Sequence, residues 1–308
     1  MRKPYHLCMS GGDELICRSE EDHIRLFNCI AIASYETDSV LLADAEMSTH
    51  AHLGLRSERP EAFLARAWNL YTRYFNGRYR RRGHLGEKHP FVLELEGYHH
   101  LLAAICYILR NPLHHGVSPT PFGYPYSSAN VYFRKELGKD FCEEPIRKKS
   151  MYKYLPRLDF YPPEYRMSES GIYLRESVID VAEVESMFVT PRSFLFNMNR
   201  LSGEEWMAEQ EKDNNGLDPV TLDVIENGIT PDSIERMLVN EAGKANYRVV
   251  SDMELCSRID NDIVPDLGKE SVYDLSPHDV RRIADFLSST YRISERKALR
   301  CLAASYDR

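Results

Sequence analysis

The spacing of hydrophobic and polar residues changes several times within the first 115 positions, and each change predicts a new element. Alternation with a period of two, or a short apolar run, predicts a strand, whereas apolar residues three and four apart predict a helix. Strands are predicted at 5–10, 40–46, 50–55 and 91–95. Helices are predicted to begin near Ser19, Pro60 and His99, and the third is expected to stop at Asn111-Pro112.

The resulting order is strand, helix, strand, strand, helix, strand, helix. This order fits an α+β fold, a ferredoxin-like antiparallel sheet with helices on one face. A stretch rich in Pro, Gly and Tyr at 117–128 marks the exit from that sheet. We therefore predict a first domain at 1–140 and a mainly helical C-terminal region at 141–308.

Two short helices are predicted near the end of the chain. Ser276, followed by Pro277, and Ser294 each have the sequence of a helix N-cap. The pair at 276–304 resembles a helix-turn-helix, which would turn Arg296, Lys297 and Arg300 towards DNA. The alternative is an ordinary helical hairpin that packs on the first domain.

Composition limits the function classes without choosing among them. The chain has 308 residues, 43% of them hydrophobic, and a formal net charge of -8, so bulk charge does not indicate a nucleic-acid-binding protein. Any DNA contact must come from local basic runs, such as Arg78, Arg80, Arg81 and Arg82 around Tyr79, or the run from Arg147 to Lys153. The first of these has an equally good interpretation as a solvated loop.

Seven cysteines occur without a CxxC pair, so reduced thiols in a cytoplasmic protein are expected. The sequence shows neither an apolar signal stretch nor a segment long enough to span a membrane.

The first candidate for chemistry is His50-Ala51-His52 on the third predicted strand. Alternate residues of a strand point to the same face, so both imidazoles would project together. Two neutral imidazoles on one face can bind a divalent metal ion. A half-buried strand with no metal explains the same pattern.

The second candidate is Tyr107, which precedes Asn111 by four residues and therefore shares a helix face with it. A phenol is a weak nucleophile at neutral pH, and a metal ion that polarises a phosphate would lower the barrier to its attack. A tyrosine buried in the core is the simpler interpretation of this residue alone.

Three segments in order resemble the REP-associated tyrosine transposases, a family of single-tyrosine HUH transposases. They are Ala45 to Leu53 with its two histidines, Tyr107 to Gly116 with its Asn-Pro, and Tyr124 to Ser128. The resemblance covers roughly residues 4 to 135. It departs from the family pattern at Ser48-Thr49, where Pro-Asn is usual, and at Tyr126, where Trp is usual.

The resemblance implies that His50, His52 and Asn111 hold Mg²⁺ or Mn²⁺ and that Tyr107 attacks single-stranded DNA. The product would be a 5′-phosphotyrosine, which a 3′-hydroxyl can later attack. The expected substrate carries a hairpin, and the expected assembly is a monomer or a homodimer, associated with the nucleoid. A non-catalytic DNA-binding regulator derived from a transposase is the alternative. A replication initiator or relaxase fits less well, because its H-U-H motif has a bulky middle residue and this one has Ala51.

Overall fold

The computed structural model describes residues 2–87, 90–139, 145–199 and 250–304. Four strands form one antiparallel sheet in the order β2-β3-β1-β4. They are β1 (Lys3–Ser10), β2 (Val40–Glu46), β3 (His50–Ser57) and β4 (Phe91–Glu94). The α+β class, the ferredoxin-like strand order and the predicted sequence of elements are confirmed. Strands β3 and β1 are the two central strands of the sheet.

Three helices cover the sheet. Helix α1 (Glu20–Glu36) begins at the predicted cap. The Ser19 side chain accepts a hydrogen bond from the Asp22 backbone, and the Asp22 side chain accepts one from the Ser19 backbone. Helix α2 is Pro60–Tyr79 and packs beside α1. The third, α3 (Gly97–His114), lies on the opposite face, where the space above Gly54 is filled by Ile105 and Ile108. The predicted single helical face therefore describes α1 and α2, and α3 adds a layer on the other side.

Helix α3 continues through Pro112 to His114, so the predicted stop at Asn111-Pro112 is wrong. A proline inside a helix removes one backbone donor and crowds the preceding turn. Here only two helical residues follow it, and the His115 amide still caps the helix by donating to Asn111 O. The extra turn holds Asn111 in helical geometry below Tyr107.

Residues 145–199 pack onto the sheet region and extend its hydrophobic core. Backbone contacts reach β2, where Asp180 N donates to Leu41 O at 2.9 Å. Side-chain contacts reach α1, where Asn28 Nδ2 donates to Gly171 O at 2.8 Å. This segment includes α4 (Lys148–Met151), α5 (Val181–Phe188) and α6 (Pro191–Asn199). The domain boundary predicted at residue 140 therefore does not separate two hydrophobic cores.

The C-terminal unit, residues 250–304, has a second hydrophobic cluster of its own. It contains α7 (Asp252–Arg258), a π-helical turn (Ile259–Ile263), α8 (Val264–Asp266), α9 (Pro277–Tyr291) and α10 (Glu295–Cys301). The predicted caps Ser276 and Ser294 are confirmed. Arg18 ties the unit to the sheet region by pairing with Asp260 and donating to Cys301 O.

Among the described residues, no helix combines the length and the apolarity that a membrane crossing needs. Six cysteines in the described part are buried free thiols, and Cys142 lies outside the described residues.

Candidate active site

The two predicted histidines share one face of the central strand. His50 and His52 alternate with Ala51 on β3, and the same face continues to Gly54. An ideal Cβ at Gly54 would lie 2.9 Å from Ile105 Cδ1, so the glycine lets α3 approach the strand closely. The imidazole centroids are 4.9 Å apart. Because Gly54 has no side chain, α3 lies close enough to β3 to contact both histidines.

Helix α3 places the other two predicted residues against this pair. The Tyr107 ring lies edge-on to His52, with centroids 5.1 Å apart. One turn later, Asn111 Oδ1 lies 3.3 Å from His50 Nε2. The structure thus brings together all four residues that the sequence singled out, from two elements and across 61 positions of chain.

The donor atoms, two imidazole nitrogens and one amide oxygen, can hold a divalent cation. Such an ion holds its ligands about 2.1 Å away, so two neighbouring ligands at right angles lie about 3 Å apart. The 3.3 Å between His50 Nε2 and Asn111 Oδ1 matches that separation. His52 Nε2 is buried and has no hydrogen-bond partner among the described residues, a costly arrangement unless a ligand meets it. The residues present therefore fit Mg²⁺ or Mn²⁺.

Among the described residues, no three His, Cys, Asp or Glu side chains are arranged to hold one metal ion. A ligand set here thus depends on the neutral amide of Asn111 as its third member. Two imidazoles and an amide leave the ion's charge uncompensated by the protein, which favours an anionic partner such as a phosphate.

The imidazoles around the site are neutral. Burial lowers the pKa of His50 to about 3, and it lowers the pKa of His52 well below its usual range. It also lowers the pKa of His114 and His115 to about 4. Neutral imidazole is the form that binds metal ions.

His6 is a residue of this site that the sequence prediction missed. It lies on β1, where His6 pairs with Gly54, and its Nε2 is 3.0 Å from His52 Nδ1. Both side chains are fully buried. A proton carried on His52 Nδ1 and donated to His6 leaves His52 Nε2 as a lone pair for a ligand. The contact follows from the antiparallel register of β1 and β3.

Two further histidines complete the surroundings. The ring of His114 stacks on Tyr107 at 5.7 Å, and the ring of His115 meets His50 at 4.9 Å. Both follow from the extra turn of α3, and the sequence analysis assigned them no role. They form the rim of the site on the side of the helix end.

The turn before His50 contributes contacts at the two positions that depart from the family pattern. Thr49 Oγ1 lies 2.8 Å from His50 Nδ1, and this contact fixes the imidazole plane. Ser48 Oγ donates to Asp252 Oδ2 of the C-terminal unit at 2.6 Å. Met253, beside Asp252, packs against a small cluster formed by Met47, Tyr124 and Tyr126. The C-terminal unit is therefore docked on the turn that leads into β3.

The site is nearly closed to solvent. Tyr107 is 4% exposed, His50 5%, and His52 and Asn111 0%. These four side chains are therefore largely shielded from solvent.

The predicted basic loop is mostly engaged in ion pairs within the chain. Arg78 pairs with Glu21, Arg80 with Glu270, and Arg81 with Glu14. Within the described part, only Arg82 of this set is both exposed and outside any ion pair. The loop therefore serves first to hold neighbouring segments together.

The basic residues of α10 also differ from the expectation of a shared DNA-facing surface. Lys297 Nζ lies 3.5 Å from Asp252 Oδ1, and Arg300 Nη2 lies 3.2 Å from Asp252 Oδ2. Their side chains are only 12% and 14% exposed. Arg296 is exposed and alone keeps the predicted outward position. The carboxylate of Asp252, distant in sequence, explains the inward turn of the other two.

No protein-family model and no curated protein matches this sequence. Among solved structures, the chain is similar to a REP-associated tyrosine transposase bound to a REP hairpin. The identity is 12% and the TM-score 0.35, over 51% of this chain and 92% of that one. A likeness this weak carries no argument about function. Any function of this chain has to be argued from the geometry of the site.

Proposed function

We propose that this chain is a metal-dependent nuclease and strand transferase that acts on single-stranded DNA through Tyr107. The observation that carries the proposal is the meeting of two imidazole nitrogens, His50 Nε2 and His52 Nε2, and one amide oxygen, Asn111 Oδ1, beside one phenol. This convergence comes from two separate elements, and it coincides with the order and spacing of the motifs that resemble the transposase family.

In the proposed reaction, the Tyr107 oxygen attacks the phosphorus of a phosphodiester. The new bond joins that oxygen to phosphorus, the bond from phosphorus to the 3′ oxygen breaks, and the phenolic proton is balanced by the one gained at the 3′-hydroxyl. One product is a 5′-phosphotyrosine, and the reverse attack by a 3′-hydroxyl rejoins DNA. A bound Mg²⁺ or Mn²⁺ would polarise the scissile phosphate and stabilise its developing charge.

The protein's own part is orientation. His50 is fixed by Thr49, and His52 is fixed by His6, so both imidazoles present Nε2 to the same space. Tyr107 is held by the rings of His52 and His114. Such pre-organised placing lowers the entropy cost of attack on a bound phosphate.

A non-catalytic DNA-binding regulator is the second candidate, and the closed site favours it. A protein that had lost catalysis would have no need to open a phenol that is 4% exposed. Against this, the side chains of His50, His52, Tyr107 and Asn111 lie together, an arrangement that a regulator would not need.

The deciding experiment uses labelled single strands, with hairpins, from the DNA that flanks the gene. Wild type, Tyr107→Phe and a matched control, Tyr98→Phe, are compared with Mg²⁺, with Mn²⁺ and with chelator. Tyr98 lies on the same helix and is 50% exposed, so its loss tests for general damage to α3. We expect a metal-dependent covalent adduct in wild type and in the control, and none in Tyr107→Phe.

An adduct that persists in Tyr107→Phe would contradict the assigned nucleophile. Binding without cleavage under every metal condition, by protein shown to bind Mn²⁺, would support the regulator instead.

A further inference from the structure

A basic and aromatic segment, residues 145–161, lies on the other side of the sheet from the candidate active site. It carries five Lys or Arg residues and one acidic residue, Asp159, in a chain whose net charge is -8. We call this segment the basic strap. Its charge is opposite in sign to that of the whole molecule, and the proposed reaction does not use it.

The basic strap is fixed to α1. Arg25 Nη2 donates to Lys153 O at 3.0 Å, and Asn28 Nδ2 donates to Tyr154 O at 3.4 Å. Met151 and Leu155 are buried beneath it. Its end is tightened by Tyr161, whose hydroxyl donates to Pro156 O at 2.8 Å. The strap is therefore a positioned surface with its apolar side chains inward.

The cations of the strap point to solvent. Arg147, Lys149, Lys153 and Arg157 are exposed, and none of them forms an ion pair with another described residue. The basic loop at 78–82 behaves differently, since most of its arginines are neutralised by carboxylates. Free cations held in a row can follow a chain of phosphates.

Two aromatic rings are exposed on the same strap. Tyr152 is 56% and Phe160 59% exposed, although large aromatic side chains are usually buried. Exposed rings on a segment that also carries exposed cations offer stacking platforms for unpaired bases. A duplex hides the faces of its bases, so this combination suits a single strand.

A groove of about 660 Å³ runs beside the strap, between it and helices α1 and α2. Arg73 and Arg157 line it as exposed cations. Arg25 and Arg66 also line it, although these two are paired with Glu21 and Glu36. The groove therefore continues the positive surface from the strap onto α2.

From these observations we infer that the basic strap and this groove bind single-stranded DNA at a second position, on the face of the sheet opposite Tyr107. The inference rests on the proposed function for the identity of the nucleic acid. A strand bound there lies on α1, and α1 covers the face that carries Glu46 and not the one that carries His52. The strap would thus hold a part of the substrate that is distant from the cleaved bond.

The test compares binding of full-length protein to single strands of about 8 and about 40 nucleotides, a range that brackets typical site sizes. The strap variant carries Lys149→Glu, Lys153→Glu and Arg157→Glu. The matched control carries Lys135→Glu, Arg192→Glu and Lys269→Glu, three exposed cations elsewhere. Cleavage of the short strand is measured in parallel.

We expect the strap variant to lose at least tenfold affinity for the long strand and to lower its salt slope by about 2, at about 0.7 for each lost phosphate contact. The control should change by less than threefold, and neither variant should alter cleavage of the short strand. Replacing Tyr152 and Phe160 with Ser should weaken binding of the long single strand about tenfold, while duplex binding stays unchanged.

Equal losses in the strap and control variants would overturn the inference. So would equal losses for duplex and single strand in the aromatic variant, or tighter binding of RNA than of DNA. Failure of the proposed function has a different signature, namely no cleavage of the short strand by wild type whatever the result on the long one.

Discussion

In the sheet region, Asp44 and Glu46 of β2 are fully buried and meet Arg175 inside the core, 2.9 Å from the Asp44 carboxylate. In the C-terminal unit, Asp252 instead meets Lys297 and Arg300 at the edge of a small helical cluster. Both arrangements bring together charges that are far apart in sequence. The charged groups of the two arrangements differ in their exposure to solvent. They therefore differ in the free energy of unfolding that is lost when one partner is removed.

Burial has a visible effect on the sheet-region carboxyls. It raises the pKa of Asp44 and raises that of Glu46 well above its usual range, while Arg175 opposes both shifts. The guanidinium also lies over the Phe27 ring at 4.2 Å. One arginine from the segment after residue 140 thus compensates two carboxyls beneath α1. This explains why that segment shares a core with the sheet.

The largest effect on stability is expected from Asp44→Ala, which would leave Arg175 buried without its main partner. Removing one member of a buried pair typically costs about 3–5 kcal/mol of unfolding free energy. Urea unfolding followed by circular dichroism should show this loss.

Replacing all three members, with Asp44→Leu, Glu46→Leu and Arg175→Met, should cost less than Asp44→Ala alone, because no buried charge is left unpaired. A triple variant less stable than the single one would show that the cluster stabilises the core beyond its charge balance.

The second prediction concerns the metal site and depends on the proposed function. His6→Leu should weaken Mn²⁺ binding about 10–100-fold, because His52 loses the acceptor that fixes its tautomer. Mn²⁺ titration followed by electron paramagnetic resonance measures this without any DNA.

His6→Gln offers an amide oxygen near the position of Nε2 and should restore part of the affinity. His84→Leu removes an exposed histidine and should change nothing. Equal Mn²⁺ affinities for His6→Leu and wild type would contradict a role for His6 in fixing His52 for metal binding.

A smaller loss is expected from Asp252→Ala. Its carboxylate accepts from Ser48 and pairs with Lys297 and Arg300, but these side chains keep some contact with water. About 1–2 kcal/mol of stability should be lost, with the C-terminal unit loosened first. Hydrogen exchange should rise in 250–304 before it rises in the sheet, and a uniform rise would contradict a local role for this contact.

The sequence predicted the sheet region almost completely, because its elements are long and strongly periodic. The cap at Ser19, the strand Val40–Glu46 and the order of all seven elements were found in the structure as expected. The predicted end of α3 was wrong. Pro112 favours a stop, whereas the helix continues to His114, and only tertiary packing on β3 explains the added turn.

The meeting of His50, His52, Tyr107 and Asn111 was predicted from local spacing and family resemblance. His6 was missed because a contact between strands depends on register, which turn chemistry and packing decide. The inward turn of Lys297 and Arg300 was missed for a related reason. Helical spacing shows which residues share a face, but it does not show that Asp252, 45 positions before Lys297, lies opposite that face.

The smallest effect on stability is expected at Arg296, the exposed residue of the predicted DNA-facing set. Arg296→Ala should change the unfolding free energy by less than about 0.5 kcal/mol, as is usual at exposed positions. If α10 contacts DNA, affinity for single strands should still fall a few-fold, because one phosphate contact is lost. Arg281→Ala, an exposed arginine on α9, is the control. Equal and negligible effects of both variants on binding would favour the helical hairpin, whose basic residues serve to dock the C-terminal unit on Asp252.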